Sequence, residues 1–156
     1  MRNSELVRQH SVLKSLIKRV GHDSSTRDLE MMAHWGKYLC VLTAGFVENI
    51  VRNIYGDYVA RTSNRKTRRY ASRNIEAVQN PKSGRLIEIA SSFDQDWGSA
   101  LEAYLEENFR KDAINTIMTN RHLIVHGRTS DITIARVDQY LSRIVEIADF
   151  LEGQCS

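Results

Sequence analysis

Apolar residues recur at the three- and four-residue spacing of an α-helix along most of this sequence, which constrains the fold more than any other feature. The clearest stripe comprises Ile134, Val137, Leu141, Ile144, Ala148 and Leu151. Thr133 precedes the stripe and is a residue type that caps helix N-termini. No segment alternates polar and apolar residues as a half-buried strand does, and one proline, Pro81, is present to break helices. The sequence therefore predicts an all-α helical bundle.

The same spacing and the turn residues between stripes predict further helices. They cover residues 5–20, ended by Gly21, then about 26–60, 83–93 and 111–126. Asp96 is a candidate N-cap for another short helix that starts at Trp97. The break before residue 83 is marked by Asn80 and Pro81. Short connections between several helices favour a bundle over separate units.

The length of 156 residues suits one domain, with 1–25 as an N-terminal helix and its connection. The net charge of +3 is compatible with a polyanionic partner. Cys40 lies in an apolar run and is expected to be a buried thiol, whereas Cys155 is expected in a frayed tail. Because the two cysteines indicate no disulfide framework, a reducing cytoplasm is the expected location. No apolar run predicts a signal peptide or a membrane span.

The candidate site is the segment 120–127, Asn-Arg-His-Leu-Ile-Val-His-Gly, at the end of a predicted helix. On a helical wheel Arg121 falls within an apolar stripe, where a charge is costly unless it is paired or reaches solvent. His122 and His126 are four residues apart and therefore share one flank. Leu123 points the opposite way, which predicts that this helix is covered on a second side. The stripe around Arg121 is formed by Ile114, Ile117, Met118 and Val125.

These residue types suit chemistry on a phosphodiester. Gly127 is a natural terminating residue, so the motif closes its helix, where the helix dipole favours cations. His126 can take up or release a proton, and Arg121 can hold a phosphate and stabilise its developing charge. Together they can support attack of a ribose 2′-hydroxyl on its own phosphodiester. The pattern therefore predicts a metal-independent RNA-cleaving site that needs no cofactor.

Other interpretations of the same residues remain open. Arg121 and His126 could simply be cations that decorate a helix C-terminus. His122 could be an auxiliary catalytic group or could make a structural hydrogen bond. The spacing of the two histidines also fits a helical metal pair, but a zinc protease motif would require glutamate at position 123. Since spacing reveals no third ligand, no metal is expected.

Two sets of residues outside the motif have both a structural and a functional interpretation. Glu48 and Arg52 can form a solvated ion pair, or Glu48 can reach the active cleft and orient a motif residue. The polar segment 61–70 contains no acid and is predicted to be a loop or an exposed helix end. It can be merely solvated, or it can contact RNA through backbone phosphates and base stacking. The candidate RNA-binding residues are Arg65, Lys66, Arg68, Arg69 and Tyr70.

The motif and its order among other landmarks resemble the HEPN domain family, most closely its RiboL-PSP type. HEPN domains carry an arginine, a polar residue, a few mostly apolar residues and a histidine, which Arg121 to His126 match with His122 in the polar place. The further RiboL-PSP landmarks appear in order as Glu48, Asn80-Pro81, Phe93, Trp97, the 121–127 segment and Ile132-Thr133. The resemblance covers the chain from about Met32 onward.

The resemblance implies a four-helix core with short extra helices. HEPN nucleases are typically homodimers in which the Arg and His of both subunits converge in one cleft. Many act on RNA in toxin–antitoxin, antiphage or stress systems, so an antitoxin protein is a candidate partner. Other HEPN domains have lost cleavage and bind RNA, nucleotides or proteins. Two functions are therefore open, an endoribonuclease and a non-catalytic binding module.

Overall fold

A computed structural model describes residues 1–22 and 28–156 of the chain. The described residues form seven helices and no strand, which confirms the all-α prediction. The helices are α1 (Ser4–His22), α2 (Leu29–Thr62), α3 (Arg65–Glu76), α4 (Ser83–Phe93), α5 (Gln95–Glu106), α6 (Arg110–Val125) and α7 (Ile134–Gln154). None of the described helices is long and apolar enough to cross a bilayer.

Helices α1, α2, α6 and α7 form the core, which confirms a four-helix core with shorter helices around it. Helix α2 is the central element because it packs against α1, α3, α6 and α7. With 34 residues it is about 50 Å long. Leu39, Val47 and Val51 on α2 are almost fully buried and belong to one apolar cluster that extends from α1 to α7. The point at which an element contacts α2 therefore gives its approximate distance from the candidate site along that helix.

The basic segment 61–70 is divided between two helices. Arg61 and Thr62 form the exposed end of α2, as predicted, whereas residues 65–70 begin a helix of their own, which was not predicted. Asn64 accepts hydrogen bonds from the backbone N–H groups of Lys66 and Thr67 and so caps the start of α3. Ser63 is extended and separates α3 from α2. The apolar pattern could not reveal this helix, because Ile75 is its one buried residue.

The prediction for the start of α5 was also wrong. Asp94, and not Asp96, caps α5 by accepting from the backbone N–H groups of Asp96 and Trp97. Asp94 is at the same time the residue on which α4 ends, so the two helices are joined by one residue. A Cβ atom on Gly98 would overlap the side chain of Ser91, which shows how closely α4 and α5 approach each other.

Several predicted helix ends differ slightly from the structure. Gly21 lies within α1, which continues to His22, and α2 continues past Ala60 to Thr62. The predicted start of α2 near Thr26 lies outside the described residues, and α2 is described from Leu29, behind an Asp28 cap. The boundaries predicted for α4 and the capping of α7 by Thr133 are confirmed.

Both cysteines are buried, which confirms the prediction for Cys40 and contradicts the one for Cys155. Cys155 is 3% exposed, because the end of α7 packs against α2 and Arg61 donates a hydrogen bond to the Cys155 carbonyl at 2.5 Å. Burial raises the pKa of the Cys155 thiol to about 11 and that of Cys40 to about 12. Both thiols are therefore protonated at neutral pH.

Candidate functional site

The motif lies at the end of α6, where the backbone is fixed by a Schellman termination. His126 is the C-cap, and Gly127 follows with a φ of 67°, in the left-handed region. The Gly127 N–H donates to the Ile124 carbonyl at 3.1 Å, and the Arg128 N–H donates to the Leu123 carbonyl at 2.8 Å. Glycine has no Cβ to oppose this conformation. The chain therefore turns sharply away directly after the last motif histidine.

His122 and His126 are brought together on the exposed side of this last helical turn. Their ring centroids are 4.4 Å apart, with the ring planes at 56°. Both residues are exposed to solvent. Neither ring has a hydrogen bond or an ion pair with another side chain in residues 1–22 or 28–156. The two imidazoles therefore lie together at one point of the surface.

Arg121 directly precedes His122 on α6 and is only partly buried. Its guanidinium makes no ion pair or hydrogen bond with the residues that the structure describes. Ile114, Ile117 and Met118 of the predicted stripe are buried as expected. Val125 was predicted to belong to this stripe, but it is 53% exposed. It is the last residue of α6 and lies beyond the buried part of the helix. Within residues 1–22 and 28–156, no group therefore competes with an anion for this guanidinium.

Long-range contacts hold the motif against α2 and the α6–α7 connection. The Asn120 side-chain oxygen accepts a hydrogen bond from the Ser130 hydroxyl at 2.7 Å. The Cys40 thiol donates to the Ile117 carbonyl at 3.5 Å. A Cβ atom on Gly36 would lie 2.5 Å from the Ile132 carbonyl oxygen. These contacts place the motif beside residues 36–40 of α2, and apart from a glycine inside a helical pattern the sequence gives no signal for them.

Glu48 is not brought to the motif. Its carboxylate accepts a hydrogen bond from the Asn80 N–H at 2.8 Å and lies 3.4 Å from Arg52, which itself donates to the Val78 carbonyl. The ion pair is not solvated as predicted, since the Glu48 side chain is 16% exposed. Glu48 lies eight residues after Cys40, about 12 Å farther along α2 and away from the motif. It anchors the connection between α3 and α4.

The candidate RNA-binding residues lie on α3, also away from the motif. All five are exposed, and the guanidinium of Arg68 donates to the carbonyls of Ala60 and Ser63 at the end of α2. Because some 20 residues of α2 separate Cys40 from this end, α3 begins about 30 Å from the motif within one chain. The motif and the basic helix are therefore separate surfaces.

Among the described residues, the histidine pair has no partner with which to bind a metal. In residues 1–22 and 28–156, no group of three histidine, cysteine, aspartate or glutamate side chains is arranged to hold a metal ion. Cys40 is the thiol nearest to α6 along α2, but it is buried and bonded to a backbone carbonyl. The described residues thus offer the histidines no third ligand.

Comparison with known proteins confirms the family resemblance. The family model described as RiboL-PSP-HEPN matches residues 4–156, which is essentially the whole chain. No curated protein and no solved structure matches it. The family match includes α1, which lies before the region in which the landmarks were recognised. The chain belongs to the RiboL-PSP-HEPN family.

Proposed function

We propose that this protein is a metal-independent endoribonuclease whose site contains Arg121, His122 and His126. The observation that carries the proposal is a partly buried arginine without a partner among the described residues, next in sequence to one of two exposed histidines whose rings are 4.4 Å apart. The planar fork of a guanidinium fits two phosphate oxygens. Family membership supports an RNA-directed activity of this kind.

The proposed reaction is a transesterification within the RNA strand. His126 accepts the proton of a ribose 2′-hydroxyl, whose oxygen attacks the adjacent phosphorus. The bond from phosphorus to the 5′-oxygen of the next nucleotide breaks, and that oxygen takes up a proton from a general acid. The products are a 2′,3′-cyclic phosphate and a 5′-hydroxyl end. Arg121 binds the non-bridging oxygens and stabilises the charge that develops on them.

The geometry of the histidine pair favours a site shared by two subunits. The attacking and leaving oxygens lie in line on opposite sides of the phosphorus. Ring centroids 4.4 Å apart on one helical turn place His122 and His126 on the same side. A second copy of the chain can supply the acid from the opposite side. In this arrangement His122 helps to orient His126 or the phosphate.

Exposed apolar residues near the motif provide a surface for such a homodimer. Val125 on α6 and Leu29, Met31 and Tyr38 on the first turns of α2 are each more than half exposed. The start of α2 adjoins the α6–α7 connection through Gly36, so these residues lie toward the same end of α2 as the motif. Exposed apolar patches of this kind mark interaction sites. A Val125→Lys variant is expected to be monomeric in sedimentation analysis and inactive.

The decisive experiment is incubation of the purified protein with single-stranded RNA in EDTA. Wild type is expected to produce 2′,3′-cyclic phosphate ends, and Arg121→Ala and His126→Ala are each expected to lose about 10²- to 10⁴-fold in rate with unchanged Tm. Glu48→Gln keeps the oxygen that accepts from Asn80 and serves as a control that retains activity. Mixing the two inactive variants is expected to restore cleavage in part through mixed dimers.

Other results would contradict the proposal. Cleavage that requires a divalent ion would exclude the metal-independent mechanism. Saturable RNA, nucleotide or protein binding without cleavage of any RNA would identify a non-catalytic module instead. The cellular setting is proposed to be a toxin–antitoxin, antiphage or stress system. Growth arrest on expression of wild type, but not of His126→Ala, would support a toxin that an antitoxin protein restrains.

A further inference from the structure

Helix α3 concentrates the positive charge of the chain. It carries five cationic residues and one acid, a net charge of +4, whereas the whole chain carries +3. The remaining residues therefore have a net charge of −1. Arg65, Lys66, Arg69 and Arg73 are exposed and make no ion pair with the residues described. Helix α3 is thus a local cationic surface on a chain that is otherwise slightly acidic.

The cations of α3 are arranged in a row. Arg65, Arg69 and Arg73 follow each other at intervals of four residues, so they lie on one face at a spacing of about 6 Å along the helix axis. Such a row suits a chain of regularly spaced phosphates. Apart from Tyr70, α3 exposes no large apolar side chain, so it lacks a face that could insert into a bilayer.

A pocket of about 370 Å³ adjoins this row between α3 and α4. Its apolar lining includes Ile75, Ile89 and Phe93, and Tyr70 stands at its edge with 74% of its surface exposed. Arg85 and Asn74 add polar groups to the lining. An aromatic residue beside an apolar pocket that carries a few polar groups suits an unstacked nucleotide base.

We propose that α3 and this pocket form a second RNA-binding surface, which holds a single-stranded segment of the substrate by its phosphates and one base. The proposal rests on the proposed function for the identity of the ligand as the RNA that is cleaved. Along α2 the surface extends from about 30 Å from the motif, where α3 begins, to about 18 Å, where Arg52 donates to the Val78 carbonyl at the edge of the pocket. RNA must therefore extend beyond the cleavage site to use both. The exposed aromatic and the pocket favour RNA over an acidic protein, which would need only the cations.

The test measures RNA binding in a His126→Ala background, which separates binding from cleavage. A labelled single-stranded RNA of about 16 nucleotides is titrated at several salt concentrations. The combined variant Arg65→Ala/Arg69→Ala/Arg73→Ala is expected to weaken binding and to reduce the slope of log K against log salt by about 2, the loss of three phosphate contacts. Exposed arginine-to-alanine changes within a helix leave it stable, because alanine has the higher helix propensity.

Two further variants test base stacking at the pocket and non-specific attraction of RNA to positive charge. Tyr70→Ala is expected to weaken binding at least about 5-fold without changing the salt slope, because it removes stacking and no charge. Lys18→Ala/Arg19→Ala removes exposed cations from α1 and is expected to leave affinity for the RNA unchanged. An equal loss from the α1 and α3 variants would show non-specific attraction and would overturn the proposal.

Cleavage of RNAs of different length distinguishes this surface from the catalytic motif. With His126 intact, the α3 variant is expected to cleave an RNA of about 4 nucleotides like wild type and the longer RNA more slowly. If neither binding nor long-RNA cleavage changes, the second surface is refuted while the nuclease stands. If the α3 variant loses binding but no RNA is ever cleaved, the surface stands and the proposed function fails. Polyglutamate, titrated in the same way, represents an acidic protein. If the α3 variant loses affinity for polyglutamate but not for RNA, an acidic protein is the ligand and the proposal is refuted.

Discussion

Replacement of Gly36 by alanine tests whether close packing of backbone against backbone holds the motif in place. The new Cβ would lie 2.5 Å from the Ile132 carbonyl oxygen, and backbone atoms cannot turn away as a flexible side chain can. Overpacking of this kind costs about 1–3 kcal/mol. The α6–α7 connection must therefore move away from α2, and the end of α6 must move with it.

A matched substitution on the same helix removes the effect of helix propensity. Gly45 also lies within α2, but a Cβ atom there would meet nothing within 4 Å. Both glycine-to-alanine changes gain about 1 kcal/mol of helix propensity, so the difference between them reports the overpacking alone. At about 2–4 °C per kcal/mol for a chain of this size, the Tm of Gly36→Ala is expected about 2–12 °C below that of Gly45→Ala.

The assay is thermal unfolding followed by circular dichroism, combined with RNA cleavage well below both Tm values. Gly36→Ala is expected to lose cleavage even where it is fully folded, because Arg121 and His126 depend on the end of α6. Gly45→Ala is expected to keep cleavage at the wild-type rate. Equal Tm values for the two variants would refute the packing argument, and full activity in a destabilised Gly36→Ala would refute its link to the site.

Three further predictions concern stability and reactivity. Arg110→Ala removes an ion pair with Glu146 at 2.8 Å, a hydrogen bond to the Tyr104 carbonyl and the cation–π contact with the Tyr104 ring, while Glu146 keeps Arg143 as a partner. It is expected to lower the free energy of unfolding by about 2 kcal/mol in urea titrations. Burial lowers the pKa of His10, so protonation favours the unfolded state and stability falls as the pH drops below about 6.5. Between pH 7.5 and pH 5.5, an interval of about two pH units, the Tm of His10→Gln is expected to fall less than that of wild type. Cys40 is expected to resist iodoacetamide until the protein unfolds, and rapid labelling of the native protein would contradict its burial.

Helices whose stability comes from an apolar face could be predicted from the sequence, and the one that lacks such a face could not. The bounds of α4 and the Thr133 cap of α7 follow from local patterns that the structure confirms. Helix α3 has one buried residue and depends on the Asn64 cap, so no stripe announces it. Asp96 was predicted as the cap of α5 where the structure has Asp94, because the start of α5 depends on where α4 stops, which packing decides.

The same division holds for the candidate site. Spacing alone placed the two motif histidines on one flank and the terminating glycine after them, because these relations are confined to one helical turn. The contact of Gly36 with Ile132 joins residues that are far apart in sequence. The motif and α3, whose separation in space also matters, are likewise far apart in sequence. A single sequence carries no information on such pairs, and only the folded chain shows them.

The single residue between α4 and α5 has a consequence for how the protein opens. Asp94 ends α4 and caps α5. The two helices also pack closely against each other where Gly98 approaches Ser91. Neither helix can fray at the shared corner without losing the cap of the other. The pair should therefore unfold as one cooperative unit, with backbone amides of both helices exchanging their hydrogens for deuterium at a common opening free energy. Since α4 forms one wall of the pocket beside α3, unfolding of the α4–α5 pair would also open this pocket.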